Sequence, residues 1–240
     1  MNTILSRTNP EIKKIASLHQ TKYRKQSGLF LAEGLRVITT LIQSGMQPAA
    51  LYATERLKQD ALDLYPESTL VADEVMEKIS SARTPSGIVG VFAIPKSRPK
   101  VTAPGLVMAQ IADPGNMGTL IRSAAAMNIK HIVVVEGVDP WSPKVVQASA
   151  GTIGSVHVHQ ISWQELTAQK HQLCALVVDG GKAPDQLDLK NYVLVIGSEA
   201  HGIKPEWLAD CQEQLTLPMP GKTESLNAGV AGSIALYLMQ

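Results

Sequence analysis

Residues 106–127 read LVMAQIADPGNMGTLIRSAAAM, and this stretch decides the fold of the second half of the chain. A nearly continuous apolar run, Leu106–Ala112, is followed by a Pro-Gly turn and then by apolar residues at helical spacing. Such a run is typical of a strand that is buried on both faces of a sheet. The stretch therefore predicts a β-strand that leads through a tight turn into a helix, with Asn116 as its predicted N-cap.

The same alternation of apolar runs and helical stretches continues to the last residues. It predicts an α/β fold in which a parallel sheet is covered by helices. In such sheets ligands bind beyond the carboxyl ends of the strands, so the loops after the runs that begin at residues 106, 192 and 214 are where a site is expected. The further predicted strands are His131–Glu136, Ser155–His159, Leu173–Asp179, Tyr192–Ile196 and Gln214–Leu217.

A proline-rich segment separates this half from the first. Residues 95–104 hold three prolines and three cations, which favours an extended linker over a helix or strand. We therefore predict domains at residues 1–95 and 105–240, joined by a linker at 96–104. The first is predicted to be a small α/β domain with helices at Pro10–Gln20 and Gly34–Ser44 and strands at Leu29–Ala32, Ala50–Ala53 and Ile88–Ile94.

Composition excludes several classes of protein. Of the 240 residues, 45% are hydrophobic and 18% charged, which is typical of a folded globular chain. No apolar run reaches the roughly 18 residues of a membrane span, and the first residues lack the apolar core of a signal peptide, so a cytoplasmic location and no membrane partner are expected. The two cysteines, Cys174 and Cys211, are far apart, which disfavours a zinc site or a disulfide.

Positive charge is concentrated near the start of a chain whose net charge is only +1. Residues 1–25 hold six cations and one acid, Glu11. Cations beside an aromatic ring suit phosphates and a stacked base, although a solvated helical face has the same composition, and both interpretations stay open. The candidate RNA-binding residues are Lys13, Lys14, Lys22, Tyr23, Arg24 and Lys25.

The first polar loop at a predicted strand end is residues 113–122, DPGNMGTLIR. Arg122 lies off the apolar stripe of the predicted helix, and small neighbours leave room for its guanidinium to reach a phosphate or a ribose. An ordinary surface arginine of a βα unit looks the same in the sequence, so this loop alone decides neither interpretation.

The second loop is residues 195–203, VIGSEAHGI, in which Gly197 and Gly202 bracket Glu199 and His201. Glycine permits close approach of a ligand to the backbone. A carboxylate at a strand exit can bind a ribose hydroxyl or an ammonium group, and the alternative is a helix-capping glutamate in a tight turn.

The third loop is residues 217–227, LPMPGKTESLN. A phosphate-binding loop would need a glycine at position 216, where the chain has Thr216, so that interpretation fails. Ser225 and Asn227 are instead candidate helix caps. His157 and His159 lack an evident third ligand for a metal and are interpreted as structural.

The order and spacing of these loops resemble the three motifs of the SpoU family of RNA ribose 2′-O-methyltransferases, also called TrmH-type, of the SPOUT superfamily. Gly28–Gly34 and Thr84–Gly87 resemble the small RNA-binding domain often attached to that family. The resemblance covers about residues 105–240, through N-x-G-x-x-x-R at Asn116, Gly118 and Arg122, G-x-E-x-x-G at Gly197, Glu199 and Gly202, and P-M-x-G with S-L-N from Pro218 to Asn227.

The resemblance implies a C-terminal trefoil knot within the parallel sheet, which the small residues Ala228, Gly229, Ala231 and Gly232 would suit. It also implies a homodimer with its active site near the subunit interface. Family members bind S-adenosylmethionine in the knot, and no metal is required. The residues implied to hold this cofactor are Ile196, Gly197, Leu217, Met219 and Leu226.

The implied reaction is methyl transfer from S-adenosylmethionine to a ribose 2′-hydroxyl, with ribosomal RNA preferred to transfer RNA as substrate. Arg122 is the leading catalytic candidate, and Asn116, Glu199, Ser225 and Asn227 are expected to place the groups around it. The alternatives are a non-catalytic RNA-binding protein on the same scaffold and a methyltransferase for small molecules. Retention of every motif residue disfavours the scaffold.

Overall fold

The computed structural model of the chain describes residues 3–96, 100–221 and 225–240. They form two compact units. The first contains the described residues up to Lys96 together with Trp141–Gly154, and the second contains the remainder. Part of the predicted linker, residues 97–99, lies outside the described residues.

The bounds of the elements are as follows. The strands are β1 Thr3–Ile4, β2 Leu29–Glu33, β3 Pro48–Ala53, β4 Thr69–Val71, β5 Ile88–Ala93, β6 Gly105–Ala109, β7 His131–Val135, β8 His157–Gln160, β9 Leu173–Val177, β10 Val193–Ile196 and β11 Glu213–Thr216. The α-helices are α1 Pro10–Ser17, α2 Thr21–Ser27, α3 Leu35–Gln43, α4 Lys58–Leu64, α5 Asp73–Ile79, α6 Pro114–Ala126, α7 Pro143–Ala148, α8 Trp163–Thr167, α9 Pro205–Leu208 and α10 Ala228–Leu238.

The first unit is built on a mixed sheet with the strand order β1-β4-β3-β5-β2. Strand β5 runs antiparallel to β2 and β3, whereas β4 pairs in parallel with β1 and β3. The predicted strands β2, β3 and β5 and the predicted helices α1 and α3 are confirmed. Strands β1 and β4 were not predicted, because two or three residues are too few to show a periodicity.

One segment of the first unit was expected in the second domain. Trp141–Gly154, which includes α7, packs on the sheet of the first unit. Trp141 is buried, and its ring centroid lies 4.9 Å from that of Phe30 on β2. Burial of a large aromatic ring is strongly favourable, and it explains why this excursion joins the first unit although it follows β7 in the chain.

The second unit is a six-stranded sheet with the order β11-β9-β10-β6-β7-β8, and every neighbouring pair is parallel. This confirms the predicted α/β fold with a parallel sheet. All residues of β6 and β10 are buried, as their continuous apolar sequences predicted. Helix α10 packs against α6 and β10, so the last helix of the chain covers the centre of the sheet.

The start of α6 differs from the prediction. Asp113, not Asn116, is the N-cap, because its Oδ1 accepts a hydrogen bond from the Asn116 backbone N–H at 2.8 Å. Pro114 occupies the first helical position, where its missing N–H costs nothing. The prediction that Asn116 caps this helix was wrong, and the side chain of Asn116 is therefore free for another contact. In the part of the chain that the structure describes, no helix is long and apolar enough to cross a bilayer.

A buried carboxylate fastens one edge of the first unit. Glu33 accepts hydrogen bonds from the Ser80 hydroxyl at 2.6 Å, from the backbone and hydroxyl of Ser81 at 2.8 and 3.0 Å, and from the Ser86 backbone at 3.2 Å. Burial alone would raise the pKa of Glu33, but these hydrogen bonds outweigh it and hold the pKa below its ordinary value of 4.5.

We expect Glu33→Gln to lower the free energy of unfolding of the first unit by about 1–3 kcal/mol at pH 7, because charge-assisted hydrogen bonds are lost. A depressed pKa stabilises the fold above the unfolded-state pKa, and this contribution disappears as the pH falls through the folded-state value. The difference between the two proteins should therefore shrink below about pH 4.5. Urea unfolding at several pH values, followed by circular dichroism, measures this difference in the free energy of unfolding. The control is Glu77→Gln, at an exposed position. A difference that does not depend on pH would contradict this assignment.

Candidate ligand site at the carboxyl ends of the strands

A cavity of about 600 Å³ opens at the carboxyl ends of β9, β10 and β11 in the second unit. This is the edge of the sheet at which parallel α/β folds bind ligands. We call it the strand-end cavity. Its lining residues are Leu176, Val177, Val178, Ile196, Gly197, Ser198, Glu199, Ala200, His201, Gly202, Leu217, Met219, Ser225, Leu226, Asn227, Ala228 and Ala231.

The structure brings the predicted cofactor-binding residues together. All five line the strand-end cavity, although they come from two loops that are far apart in the sequence: Ile196, Gly197, Leu217, Met219 and Leu226. Three of the predicted catalytic residues, Glu199, Ser225 and Asn227, line the same cavity. Residues 222–224 of the third loop lie outside the described residues.

The loop after β10 folds back closely on itself. Ser198 and Gly202 exchange two backbone hydrogen bonds, each of 2.9 Å. Gly202 has φ +68°, in the left-handed region that favours glycine. A methyl group at Gly197 would overlap the backbone of Gly202 and Ile203, so position 197 also requires glycine. This loop, with the Glu199 side chain, forms one wall of the cavity.

A side-chain hydrogen bond joins the first two motifs. The Asn116 amide Nδ2 donates to Glu199 Oε1 at 2.8 Å, which links the first turn of α6 to the loop after β10. Glu199 is therefore neither a helix cap nor an isolated surface carboxylate. Asn227, one of the two predicted caps, is the N-cap of α10. Its Oδ1 accepts a hydrogen bond from the Val230 backbone N–H at 3.2 Å.

The first turn of α10 lies against the Asn116 side chain. A methyl group at Gly229 would lie 3.1 Å from Asn116 Oδ1 and 3.2 Å from Asn227 Oδ1. One small residue thus allows the third motif to approach the first. The three motifs, which span more than half of the second unit's sequence, converge at one end of its sheet.

Arg122 does not join this group. It lies on an exposed face of α6 and is absent from the lining of the strand-end cavity. Within residues 3–96, 100–221 and 225–240 no hydrogen bond or ion pair of its guanidinium is found. The neighbouring residue Ser123 contacts Ser233 of α10, with 2.7 Å between the two hydroxyl oxygens. Arg122 is thus near α10 but outside the cavity of its own chain.

Sequence reasoning missed a second polar group at the same edge of the sheet. Gln110 and Glu136, which directly follow β6 and β7, have φ values of +60° and +52° without being glycine. Glu136 Oε2 accepts from the Gln110 amide and from Lys204 Nζ, at 2.9 Å each. Residues held in this conformation often lie at functional sites. Nothing in the sequence signals a left-handed backbone at these positions.

The cavity walls from β9 and α10 were missed as well. Leu176, Val177 and Val178 line the cavity, but an apolar strand end carries no chemical signal. Ala228 and Ala231 were noted only as close-packing residues, and Ser198, Ala200 and His201 were not singled out as lining residues.

One candidate RNA-binding residue of the first unit must be corrected. Arg24 is 2% exposed, and its guanidinium donates to the Leu18 carbonyl at 2.7 Å and to the Thr21 hydroxyl at 2.8 Å. It therefore supports the turn between α1 and α2 and is not available to RNA. The other candidates are exposed on those two helices: Lys13, Lys14, Lys22, Tyr23 and Lys25.

The histidines and cysteines have structural surroundings. His159 is buried, its Nε2 lies 3.2 Å from His131 Nδ1, and the two rings stack. No group of three or more potential metal-binding side chains is found among the described residues. Cys174 and Cys211 are free, and burial raises their pKa values to about 11 and about 12, so both stay protonated at neutral pH.

A parallel sheet with a cavity at its strand ends, walled by glycine-containing loops, defines an α/β ligand-binding domain of the class that includes nucleotide- and cofactor-dependent enzymes. The sequence profile of the SpoU rRNA methylase family matches residues 104–237. The chain belongs to this family. A second profile, that of an MRM3-like substrate binding domain, matches residues 9–90.

Relatives align over nearly the whole chain. An uncharacterized tRNA/rRNA methyltransferase of Synechocystis is 31% identical over 98% of this chain and 92% of its own length. A 23S rRNA (guanosine-2′-O)-methyltransferase of Bacillus subtilis is 25% identical over 99% and 98%. The crystal structure of an AdoMet-bound rRNA methyltransferase from Sinorhizobium meliloti superposes with a TM-score of 0.87 and 26% identity, covering 99% of this chain and 97% of that one.

We expect Gly197→Ala to lower the free energy of unfolding of the second unit by about 1–3 kcal/mol, because the new methyl group overlaps backbone that cannot rotate away. Hydrogen exchange should report faster exchange of the Gly202 amide, which bonds to Ser198. Gly221→Ala is the matched control, since a methyl group there meets no atom of the described residues within 4 Å. Equal effects of the two substitutions on stability would show that close approach at position 197 is not the cause.

Proposed function

We propose that the chain is an S-adenosylmethionine-dependent methyltransferase that acts on a ribose 2′-hydroxyl of ribosomal RNA. The observation that carries this proposal is that the second and third SpoU motifs line one cavity, the strand-end cavity, and that the first motif is joined to it by the hydrogen bond from Asn116 to Glu199. The relatives named as rRNA methyltransferases, including the Bacillus enzyme that modifies a guanosine 2′-oxygen, support the ribosomal substrate over transfer RNA.

The strand-end cavity fits S-adenosylmethionine in size and chemistry. Its volume of about 600 Å³ is within the usual range of small-molecule sites, about 300–1,000 Å³. Ile196, Leu217 and Leu226 offer apolar surface to an adenine ring, and the close backbone at Gly197 offers amide and carbonyl groups. Met219 completes the proposed cofactor site. When bound, the cofactor supplies an electrophilic methyl group on a sulfonium.

The chain's own residues position the attacking hydroxyl. Glu199, held by the amide of Asn116, forms one polar wall of the cavity, while Ser225 and Asn227 present a hydroxyl and an amide on another. Arg122 binds the phosphate or ribose of the target nucleotide. Arginine is a poor base because its pKa exceeds about 12, so we assign it an orienting role. The enzyme accelerates the reaction mainly through this alignment.

We also propose the trefoil knot for the second unit. Strand β10 is inserted between β9 and β6, and α10, which follows β11, returns to pack against α6 and β10. This return is made possible by Gly232, where a methyl group would overlap the side chains of Ile196 and Leu120. Close passage of one chain segment beside another is what a knotted connection requires.

A homodimer explains the position of Arg122. Helix α10 exposes an apolar stripe, which consists of Val230, Ile234, Tyr237 and Leu238 together with the preceding Leu226. Contiguous exposed apolar residues of this kind mark interaction sites. Arg122 precedes Ser123 in the sequence, and Ile234 follows Ser233, so both lie next to the contact between these two serines. Pairing of two copies through α10 therefore places Arg122 at the interface. There it is able to reach the strand-end cavity of the partner.

The first unit binds the RNA substrate. Lys13, Lys14, Lys22 and Lys25 are exposed on α1 and α2 beside the Tyr23 ring. The match to a substrate binding domain over residues 9–90 supports this role.

We propose the boundaries 1–95, 96–104 and 105–240 for the first domain, the linker and the second domain of the chain. The excursion Trp141–Gly154 belongs to the second domain by sequence although it packs with the first. The cytoplasmic location stays a prediction.

We expect Arg122→Ala to lower kcat for transfer of tritiated methyl groups to unmodified ribosomal RNA by about 100-fold, the cost of losing one preorganised donor. Calorimetric binding of S-adenosylmethionine should be unchanged, because Arg122 is assigned to the phosphate or ribose of the target nucleotide and not to the cofactor. Lys190→Ala is the control, since it removes an exposed cation beside the opposite, amino end of β10. Near-normal transfer by the Arg122 variant at saturating RNA would overturn the role of Arg122. Absence of cofactor binding by the unmodified protein would favour a non-catalytic scaffold.

We expect Ile234→Glu to convert a dimer into a monomer in sedimentation velocity, because it places a charge in the α10 stripe. Methyl transfer should fall with the dimer fraction if Arg122 acts across the interface. Leu5→Glu, at another exposed apolar residue, should leave the assembly intact. An unmodified protein that sediments as a monomer while active would contradict the dimer.

A further inference from the structure

A second cavity, of about 500 Å³, lies within the first unit between α1, α2 and one face of the sheet. We call it the helix-sheet cavity. It lies outside the three SpoU motifs, and the proposed reaction does not use it. Its lining residues are Glu11, Lys14, Ile15, Ser17, Leu18, Tyr23, Gln26, Ser27, Leu29, Ala49, Ala50, Tyr52 and Val91.

The interior of the helix-sheet cavity is mainly apolar. Ile15, Leu18 and Val91 are buried residues at its floor, and the ring of Tyr23, 40% exposed, stands at its wall. Apolar surface beside an accessible aromatic ring suits a flat, weakly hydrated group. Unstacked nucleic-acid bases bind in such places by stacking on aromatic side chains.

One polar pair lines the cavity: Glu11, an exposed residue in the first turn of α1, and Tyr52. The buried hydroxyl of Tyr52 donates a hydrogen bond of 2.5 Å to Glu11 Oε1. Burial, followed by the hydrogen bond and charge of Glu11, raises the pKa of Tyr52, so its phenol stays neutral and holds the carboxylate in place. Glu11 Oε2 accepts no hydrogen bond from the described part of the chain. A carboxylate offers acceptors only, so its ligand must present N–H or O–H donors.

The charged groups near the cavity have opposite preferences for a phosphate. The Glu11 carboxylate repels a phosphate next to it, whereas Lys14, which also lines the cavity, and the exposed Lys13, Lys22 and Lys25 on α1 and α2 attract phosphates. The two serines of the lining are already engaged, because Ser17 and Ser27 each donate to a backbone carbonyl of their own helix. The cavity is therefore arranged for a base inside and a backbone across its mouth.

We propose that the helix-sheet cavity binds one unstacked guanine base of the RNA substrate, with the ring stacked on Tyr23 and the N1–H and N2–H groups donating to the Glu11 carboxylate. The proposal rests on the proposed function, since it takes the base from an RNA that the second unit modifies. It assigns Glu11, Tyr23 and Tyr52 to recognition of a nucleotide other than the methylated one.

Guanine is favoured by the pattern of donors on its pairing edge. It presents two adjacent N–H donors, which match the two oxygens of a carboxylate in parallel hydrogen bonds. Adenine and cytosine place an acceptor nitrogen beside their single amino group, and that nitrogen would face the second oxygen. Uracil has one N–H between two carbonyls, and both carbonyls would be repelled.

The test uses the full chain and short fluorescein-labelled single-stranded uridine RNAs that contain one central guanosine, one inosine or neither. Fluorescence anisotropy should show that the guanosine RNA binds about tenfold more tightly than the inosine RNA, which lacks the N2 amino group. Glu11→Gln should abolish this difference, because the amide nitrogen of glutamine would replace a carboxylate oxygen and would face an N–H donor of guanine. Tyr23→Ala should weaken both RNAs about tenfold through lost stacking.

The chain contains its own control pair. Tyr65 donates to Glu67 Oε2 at 3.2 Å in the same unit but outside the cavity. Glu67→Gln should leave the guanosine preference unchanged, and circular dichroism should show that all variants are folded. An unchanged preference in Glu11→Gln would overturn the proposal. Free guanosine monophosphate is tested in the same way. If it binds the unmodified protein as tightly as the guanosine RNA does, and binds Glu11→Gln more weakly, the claim that the base comes from RNA would be wrong.

Failure of this proposal is distinguishable from failure of the proposed function. If Glu11→Gln keeps the guanosine preference while the unmodified protein binds S-adenosylmethionine and methylates RNA, only the base site is wrong. If the unmodified protein neither binds the cofactor nor transfers methyl groups, the proposed function fails, whichever RNA binds more tightly.

Discussion

The close backbone contact between Gly197 and residues 202–203 is the constraint on which the second unit depends. Strand β10 lies between β9 and β6, and its exit must turn back at once to leave the strand ends open. A turn this tight excludes any side chain at position 197 and requires a left-handed backbone at Gly202. The same turn forms one wall of the strand-end cavity, beside the apolar residues Ile196 and Leu217.

Polar contacts then join the parts that this turn brings near one another. Asn116 is free to bond Glu199 because Asp113 takes over the capping of α6. Gly229 lets α10 approach Asn116, and Gly232 lets it approach Ile196. Each of these contacts joins segments that are distant in the chain. Helix α10 therefore contributes to the cavity with one face and exposes an apolar stripe on another, so assembly and the site depend on the same helix.

The first unit follows a different principle. Its sheet is mixed, and one edge is fastened by the buried carboxylate of Glu33. Its two amino-terminal helices and the sheet line a cavity in which a second glutamate, Glu11, accepts a hydrogen bond from Tyr52. The cations of the same helices are exposed, and Lys14 also lines the cavity, except Arg24, which is buried and holds the turn between the helices. A basic cluster in sequence is thus divided by folding into one structural residue and several accessible ones.

The sequence by itself determined the fold class, most strands of the parallel sheet and the loops that form the strand-end cavity. Apolar runs and glycine spacing are local properties of the sequence, so they can be recognised without the tertiary structure. Only the tertiary structure decided that Asp113 caps α6, that Arg24 is buried, that Trp141–Gly154 packs with the first unit and that Arg122 lies outside the cavity of its own chain. These outcomes depend on which distant groups compete for one hydrogen bond or one buried position, and that competition exists only once the chain is folded.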